Sequence, residues 1–176
     1  MYVDSHCHLD FPALSENLDT ILADMKRNQV SHALVVSVNL PDWPRLIEMV
    51  APHPQLFASV GVHPDYEDTP EPTVDDLVER AGANSKVVAI GETGLDYFRT
   101  HIRAARTSKL PLIIHTRASR EDTLRIMREE GAAECGGVMH CFTESLEMAR
   151  AAIDMNFYIS LSGIVTFKKA QELQDL

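Results

Sequence analysis

Short apolar runs rich in β-branched residues recur along the chain at intervals of roughly 20 to 30 residues, and this spacing constrains the fold more than any other feature. The runs are Tyr2-Val3, Ala33–Val38, Leu56–Val60, Val87–Ile90, Leu110–Ile114, Gly137–Met139 and Phe157–Leu161. They are continuous rather than alternating, as expected of strands covered on both faces, and the interval matches a repeating strand–helix unit. In such a repeat the strands run parallel, so their carboxyl ends open onto one face and bring distant side chains together.

The stretches between the runs carry helical patterns with identifiable ends. Leu18, Ile21, Leu22 and Met25 recur at helical spacing, so a helix is expected over 15–28 with Ser15 as its cap. Ser119 with Asp122 resembles a capping box, and Gly131 suits the far end of that helix. Further helices are expected over 99–108 and 143–156, while 65–72 is an acidic, proline-bearing loop. Trp43 and Pro44 fall near the start of the second helix. The pattern predicts one domain over residues 1–176, a TIM-type (β/α) barrel. An eight-unit barrel takes ~250 residues, and seven strands can be placed. The expectation is therefore a barrel whose last strand–helix unit is not in this sequence, with a second irregularity at Phe98-Arg99, where a loop passes at once into a helix.

The ends of these runs carry the chemistry. His6 and His8 lie in Asp4-Ser5-His6-Cys7-His8, His63 in Gly61-Val62-His63-Pro64, His115 after Ile113-Ile114 and His140 after Val138-Met139, while Glu92 closes another run. On an extended chain His6 and His8 point to one side and Cys7 to the other. His6, His8, His115 and His140 with Glu92 offer four neutral nitrogens and one carboxylate, a set suited to zinc, manganese, nickel or iron. One carboxylate can bridge two ions ~3.5 to 4 Å apart, which lower the pKa of a shared water and stabilise attacking and leaving oxygens in hydrolysis. The chain has eight histidines; His32, His53 and His101 do not fall at such ends and receive no role.

The formal charge of −10 argues against a broad basic surface for duplex nucleic acid. It leaves room for an anionic substrate at a pocket whose bound metals set the local field. Cys7, Cys135 and Cys141 show no CxxC spacing, so reduced thiols are expected and neither a disulfide framework nor a zinc ribbon. With no apolar run near the ~18 residues that span a bilayer and no signal-like opening, a cytoplasmic protein that does not enter the membrane is expected.

With these motifs in place, the chain resembles the TatD-type metal-dependent deoxyribonuclease family of the amidohydrolase superfamily. The resemblance rests on Asp4-Ser5-His6-Cys7-His8-Leu9-Asp10, Gly61-Val62-His63-Pro64, Ala89-Ile90-Gly91-Glu92-Thr93-Gly94-Leu95-Asp96-Tyr97, Leu110-Pro111-Leu112-Ile113-Ile114-His115-Thr116-Arg117, His140-Cys141-Phe142-Thr143-Glu144 and Ser160-Leu161-Ser162-Gly163. It implies two divalent ions (Zn, Mn, Mg or Ni), the first held by His6 and His8, the second by His115 and His140, with Glu92 as the bridge in place of a carboxylated lysine. It places His63 beside the metals in contact with the scissile phosphate. Family members also carry an aspartate after the eighth strand and a longer glutamine-bearing stretch after the position of Phe98, neither of which is in this sequence.

What the resemblance implies is a phosphodiesterase that trims a DNA strand end, and RNA as a further substrate, using a metal-activated water. No obligate protein partner is expected. Two other readings use the same residues: a small-molecule amidohydrolase (lactonase, amidase or deaminase), or a non-catalytic fragment. Arg117, two residues past His115, is expected to face the substrate and contact phosphate. Arg99, Arg103 and Arg106 share a helical face and are expected on the solvated outside of the barrel. Cys7 and Cys141 are expected to pack away from the site.

Overall fold

The computed structural model describes residues 1–66 and 69–176; the acidic loop expected over 65–72 includes Glu67 and Asp68, which lie outside the described residues. Seven strands form one sheet in chain order: β1 (Tyr2–Cys7), β2 (Val30–Val35), β3 (Leu56–Val60), β4 (Val87–Thr93), β5 (Leu112–His115), β6 (Gly137–His140) and β7 (Phe157–Ile159). Every neighbouring pair is parallel. The helices are α1 (Pro12–Ser15), α2 (Leu18–Arg27), α3 (Trp43–Val50), α4 (Val74–Ala83), α5 (Phe98–Ser108), α6 (Arg120–Glu129), α7 (Leu146–Ile153) and α8 (Gln171–Gln174). The sheet curls as an open, TIM-like (β/α) half-barrel of seven strands, with β1 and β7 as its two edges.

Alternation along the strands divides the apolar side chains into two layers. On β5, Leu112 and Ile114 point outward into the large core shared with α4, α5, α6 and α7, while Ile113 points inward to a small layer with Val36, Ala89, Leu34 and Val138. On β6, Met139 faces out and Val138 faces in. A third cluster packs α2 and α3 on β2 and β3 through Ala33, Val35, Leu46, Val50, Leu56 and Ala58. Burial of these continuous runs on both faces supplies the dominant favourable term in folding.

Several local expectations are corrected. The helix expected over 15–28 is present as α2, but it starts at Leu18: Ser15 ends α1 rather than capping this helix, and Asn17 precedes α2 without a side-chain cap. Pro12 at the first turn of α1 explains the early start, because its missing N–H costs nothing there. Ser119 precedes α6 but makes no cap bond; its hydroxyl pairs with Thr123 Oγ1 at 3.1 Å. Gly131 does take the left-handed conformation expected beyond that helix (φ 68°). Coverage of both faces fails at the sheet's edges, where Tyr2, Val3 and Tyr158 are exposed, because β1 pairs only with β2 and β7 only with β6.

The arginine trio lies half-exposed on the outside of the barrel, as expected, and is paired there. Arg99 pairs with Glu129 and Glu130, Arg103 with Glu130, and Arg106 with Glu134, so the trio ties α5 to α6 and the turn after it. Trp43 opens α3 as expected, and its indole N–H donates to Ser59 O at 3.1 Å. Among the described residues no helix is long and apolar enough to cross a membrane.

Candidate metal centre

Period-two alternation delivers two of the histidines. His115 lies two residues past inward-facing Ile113, and His140 two past inward-facing Val138, so both continue the interior face at the carboxyl ends of β5 and β6. The two are direct register partners, and their rings lie 6.5 Å apart.

Glu92 reaches the same space by a different route. It lies three residues past inward-facing Ala89, so strict alternation would turn it outward. The pairing of β4 with β5 shifts register between Ile90 and Thr93, which re-aims the carboxylate inward. Gly91 makes the shift possible. Its φ is +125°, and a Cβ there would lie 2.6 Å from Ile113 O, so only glycine fits. Around it, Ser59 Oγ donates to Gly91 O and accepts from the Ser37 N–H at 3.0 Å, and Glu92 N–H donates to Ser37 O at 3.3 Å. A similar shift in β1 between Asp4 and Cys7 brings His6 inward, while Cys7 packs outward with Leu9, Ala33 and Val35.

The side chains meet around Glu92, which is 2% exposed. Its Oε2 lies 3.1 Å from His6 Nε2, and its Oε1 lies 3.0 Å from His115 Nδ1 and 3.8 Å from His63 Nε2. The carboxylate thus shows one oxygen to each of two sets of histidines. The donor atoms of His6, His8 and Glu92 lie within 4.8 Å of one another, as do those of His63, Glu92 and His115. His140 belongs to neither set: its ring stacks on His6, centroids 3.3 Å apart and planes 7° from parallel.

Hydrogen bonds assign several of the ring protons. His8 Nδ1 lies 3.2 Å from Val36 O, an acceptor only, so Nδ1 carries hydrogen and Nε2 keeps its lone pair for a metal. His63 is the opposite case. Its Nδ1 accepts the Asp65 N–H at 3.1 Å, so in the neutral ring Nε2 carries hydrogen. That nitrogen, 3.8 Å from Glu92 Oε1, is then a donor, and in this tautomer the second set loses its third ligand to a hydrogen-bonding role. Both ring nitrogens of His6 are buried, and neither makes a hydrogen bond; the 3.1 Å approach of Nε2 to Glu92 is not aligned for one. Two donor atoms closing on a common point without bonding each other fit a divalent ion, and the neutral nitrogens with one carboxylate suit a transition metal.

Electrostatics agree with an ionised Glu92 carboxylate. Burial alone would raise the Glu92 carboxyl, but the hydrogen bond from His115 and the approach of His6 hold it well below the usual carboxylate range. The same bond raises His115. Burial lowers His63 and, with His6 alongside, pushes His140 down to about 4. The Cys7 thiol is pushed up to about 12 by burial and then by Asp4, and it donates to Leu34 O, so it packs rather than reacts, as expected. Cys141 is not extended (φ 47°); its sulfur sits 2.9 Å from Ser162 Oγ.

Arg117 is exposed and makes no ion pair among the described residues, whereas Arg120 is held by Glu144 at 2.5 Å. Glu144, itself buried, also accepts the Ala118 N–H at 3.0 Å and so links the loop after His115 to the loop after His140. Sequence reasoning gave Glu144, Ser37 and Ser59 no role; Glu144 lies inside the His140-Cys141-Phe142-Thr143-Glu144 motif, while the serines carry no sequence signal.

Comparison with known proteins places this site in context. Residues 3–176 match the family described as TatD related DNase. The metal-dependent hydrolase YcfH of Escherichia coli is 43% identical over 189 residues, covering 98% of this chain and 71% of the relative. The metal-dependent hydrolase YabD of Bacillus subtilis is 38% identical over 191 residues, covering 100% of this chain and 74% of the relative. The crystal structure of YjjV, a TatD homologue of Escherichia coli, superposes with a TM-score of 0.89 at 24% identity, over 99% of this chain and 73% of that one.

Proposed function

The chain belongs to the TatD related DNase family and is a metal-dependent hydrolase, and on that premise we propose that it hydrolyses phosphodiester bonds at the end of a DNA strand, with RNA ends as a further substrate. One observation carries this reading: a single buried carboxylate, Glu92, presents its two oxygens to separate histidines at 3.1 and 3.0 Å, the arrangement of a bridge between two cations. His6 and His8 hold the first ion in this proposal. His115 and its register partner His140 hold the second, with His140 turning from its stack on His6. Bound divalent ions supply water activation and charge neutralisation at the reacting phosphate.

The remaining groups act on the substrate. His63 Nε2–H donates to a phosphate oxygen, and the tautomer imposed by the Asp65 N–H fits that task. Arg117, exposed at the mouth and free of ion pairs among the described residues, adds a cation for a neighbouring phosphate. The net charge of −10 favours an unpaired strand end entering the mouth over a duplex laid across the surface. The test is incubation of the purified protein with Mn²⁺ and end-labelled single-stranded DNA. Release of nucleotides, abolished by Glu92→Ala, supports the proposal. Hydrolysis of lactones or amides with no nucleotide release contradicts it.

A further inference from the structure

His101 sits on α5, away from every strand end, and is completely buried. Its Nδ1 lies 2.8 Å from Tyr97 O and its Nε2 3.0 Å from Val62 N. A carbonyl oxygen only accepts and a backbone N–H only donates, so Nδ1 must carry hydrogen and Nε2 must not. Both bonds form in one tautomer of the neutral ring. A second proton would set Nε2–H against the Val62 N–H.

Val62 immediately precedes His63, and the loop is anchored on either side of this contact. The His63 N–H donates to Val38 O at 2.9 Å. A Cβ on Gly94 would lie 2.5 Å from the ring of Pro64, so the β4–α5 connection presses directly on that proline. Tyr97, which accepts from His101, donates its hydroxyl to Thr69 O at 3.1 Å. The start of α5, reached from Glu92 through this short connection, therefore holds the His63 loop at Val62, Pro64 and Thr69. Of these holds only the one at Val62 depends on a buried, ionisable side chain.

We propose that His101 is a positioning residue for His63: through the Val62 N–H it fixes where the His63 ring stands relative to Glu92, 3.8 Å away. The inference rests on the proposed hydrolase reading, in which His63 Nε2–H contacts the substrate. A shift of about 1 Å in such a group is enough to cost on the order of 100-fold in rate. A histidine suits the position because its rigid ring offers one donor and one acceptor, whereas leucine would leave the Val62 N–H and Tyr97 O buried without this partner.

The test is a double-mutant cycle in Mn²⁺-supported release of nucleotides from single-stranded DNA, with bound metal measured for every variant. His101→Leu is expected to lower kcat/KM roughly 10- to 100-fold when His63 is present and less than about twofold in a His63→Ala background. Metal content should be unchanged. His101→Gln, which retains a donor and an acceptor, should recover most of the loss, and it carries the cycle if His101→Leu does not fold. Equal losses in both backgrounds, or no loss in either, overturn the proposal. Long-range ¹H–¹⁵N spectra of the histidine rings give a readout independent of activity: replacing His101 should move the His63 resonances, and unmoved resonances overturn the assignment. If the wild-type protein releases no nucleotides, the function proposed above fails, and the ring spectra alone decide the role of His101.

Discussion

A Cβ placed on Gly91 would lie 2.6 Å from the carbonyl oxygen of Ile113, the residue two before His115. The strands that carry Glu92 and His115 therefore approach at a point where any side chain would separate them, in a backbone conformation (φ +125°) that L-residues rarely adopt. Gly91→Ala should cost about 2 to 4 kcal/mol of stability and abolish metal binding. Urea unfolding with metal titration of the folded fraction checks both outcomes.

Ser59 holds the same segment from the other side, donating to Gly91 O while accepting the Ser37 N–H. Ser59→Ala removes a fully buried hydroxyl and leaves both groups short of a partner. The expected loss is about 1 to 3 kcal/mol, with metal affinity reduced because Glu92 is no longer fixed. Equilibrium unfolding and competition with a chelator would measure the two effects.

Acid should weaken the fold through His101. Burial pushes its pKa from 6.5 down to about 4, so between these values the unfolded chain binds a proton that the native one refuses. Stability is full above about pH 6.5, falls by about 1.4 kcal/mol per pH unit as pH drops, and levels off near pH 4. His101→Gln should remove this share of the slope and leave the share of His140, which is likewise held down at about 4; urea midpoints at pH 7 and pH 5 would register the difference.

Glu130 accepts from both Arg99 and Arg103, and its side chain is only 10% exposed. Glu130→Gln should cost about 1 kcal/mol, because the half-exposed arginines are well screened by solvent. Hydrolytic activity should be unchanged, since the cluster ties α5 to α6 on the outside of the barrel. Thermal unfolding and the nuclease assay together check the separation.

The legibility of this site in the sequence depended on how each residue reaches it. His115 and His140 follow plain alternation from Ile113 and Val138, so a strand assignment places them at once. Glu92 and His6 were nominated by their place at strand ends, and alternation set His6 opposite Cys7, but the register shifts that aim both inward have no periodic signal, and only Gly91 hints at one. The helix expected over 15–28 forms at 18–27, where Leu18, Ile21, Leu22 and Met25 recur, but its start was misplaced because Ser15 belongs to the separate short helix that Pro12 opens. His101 was passed over because its partners, Val62 N–H and Tyr97 O, are backbone atoms, and sequence patterns say nothing of which buried ring will meet them.

In the proposed site one carboxylate, Glu92, serves two metal ions. Metal content after dialysis against Mn²⁺ or Zn²⁺, measured on wild type and Glu92→Ala, tests it most directly. Two ions per wild-type chain and loss of both in the variant are expected, because Glu92 faces His6 through one oxygen and His115 through the other. A wild-type chain that binds a single ion, or a variant that keeps one or both, would contradict the bridge.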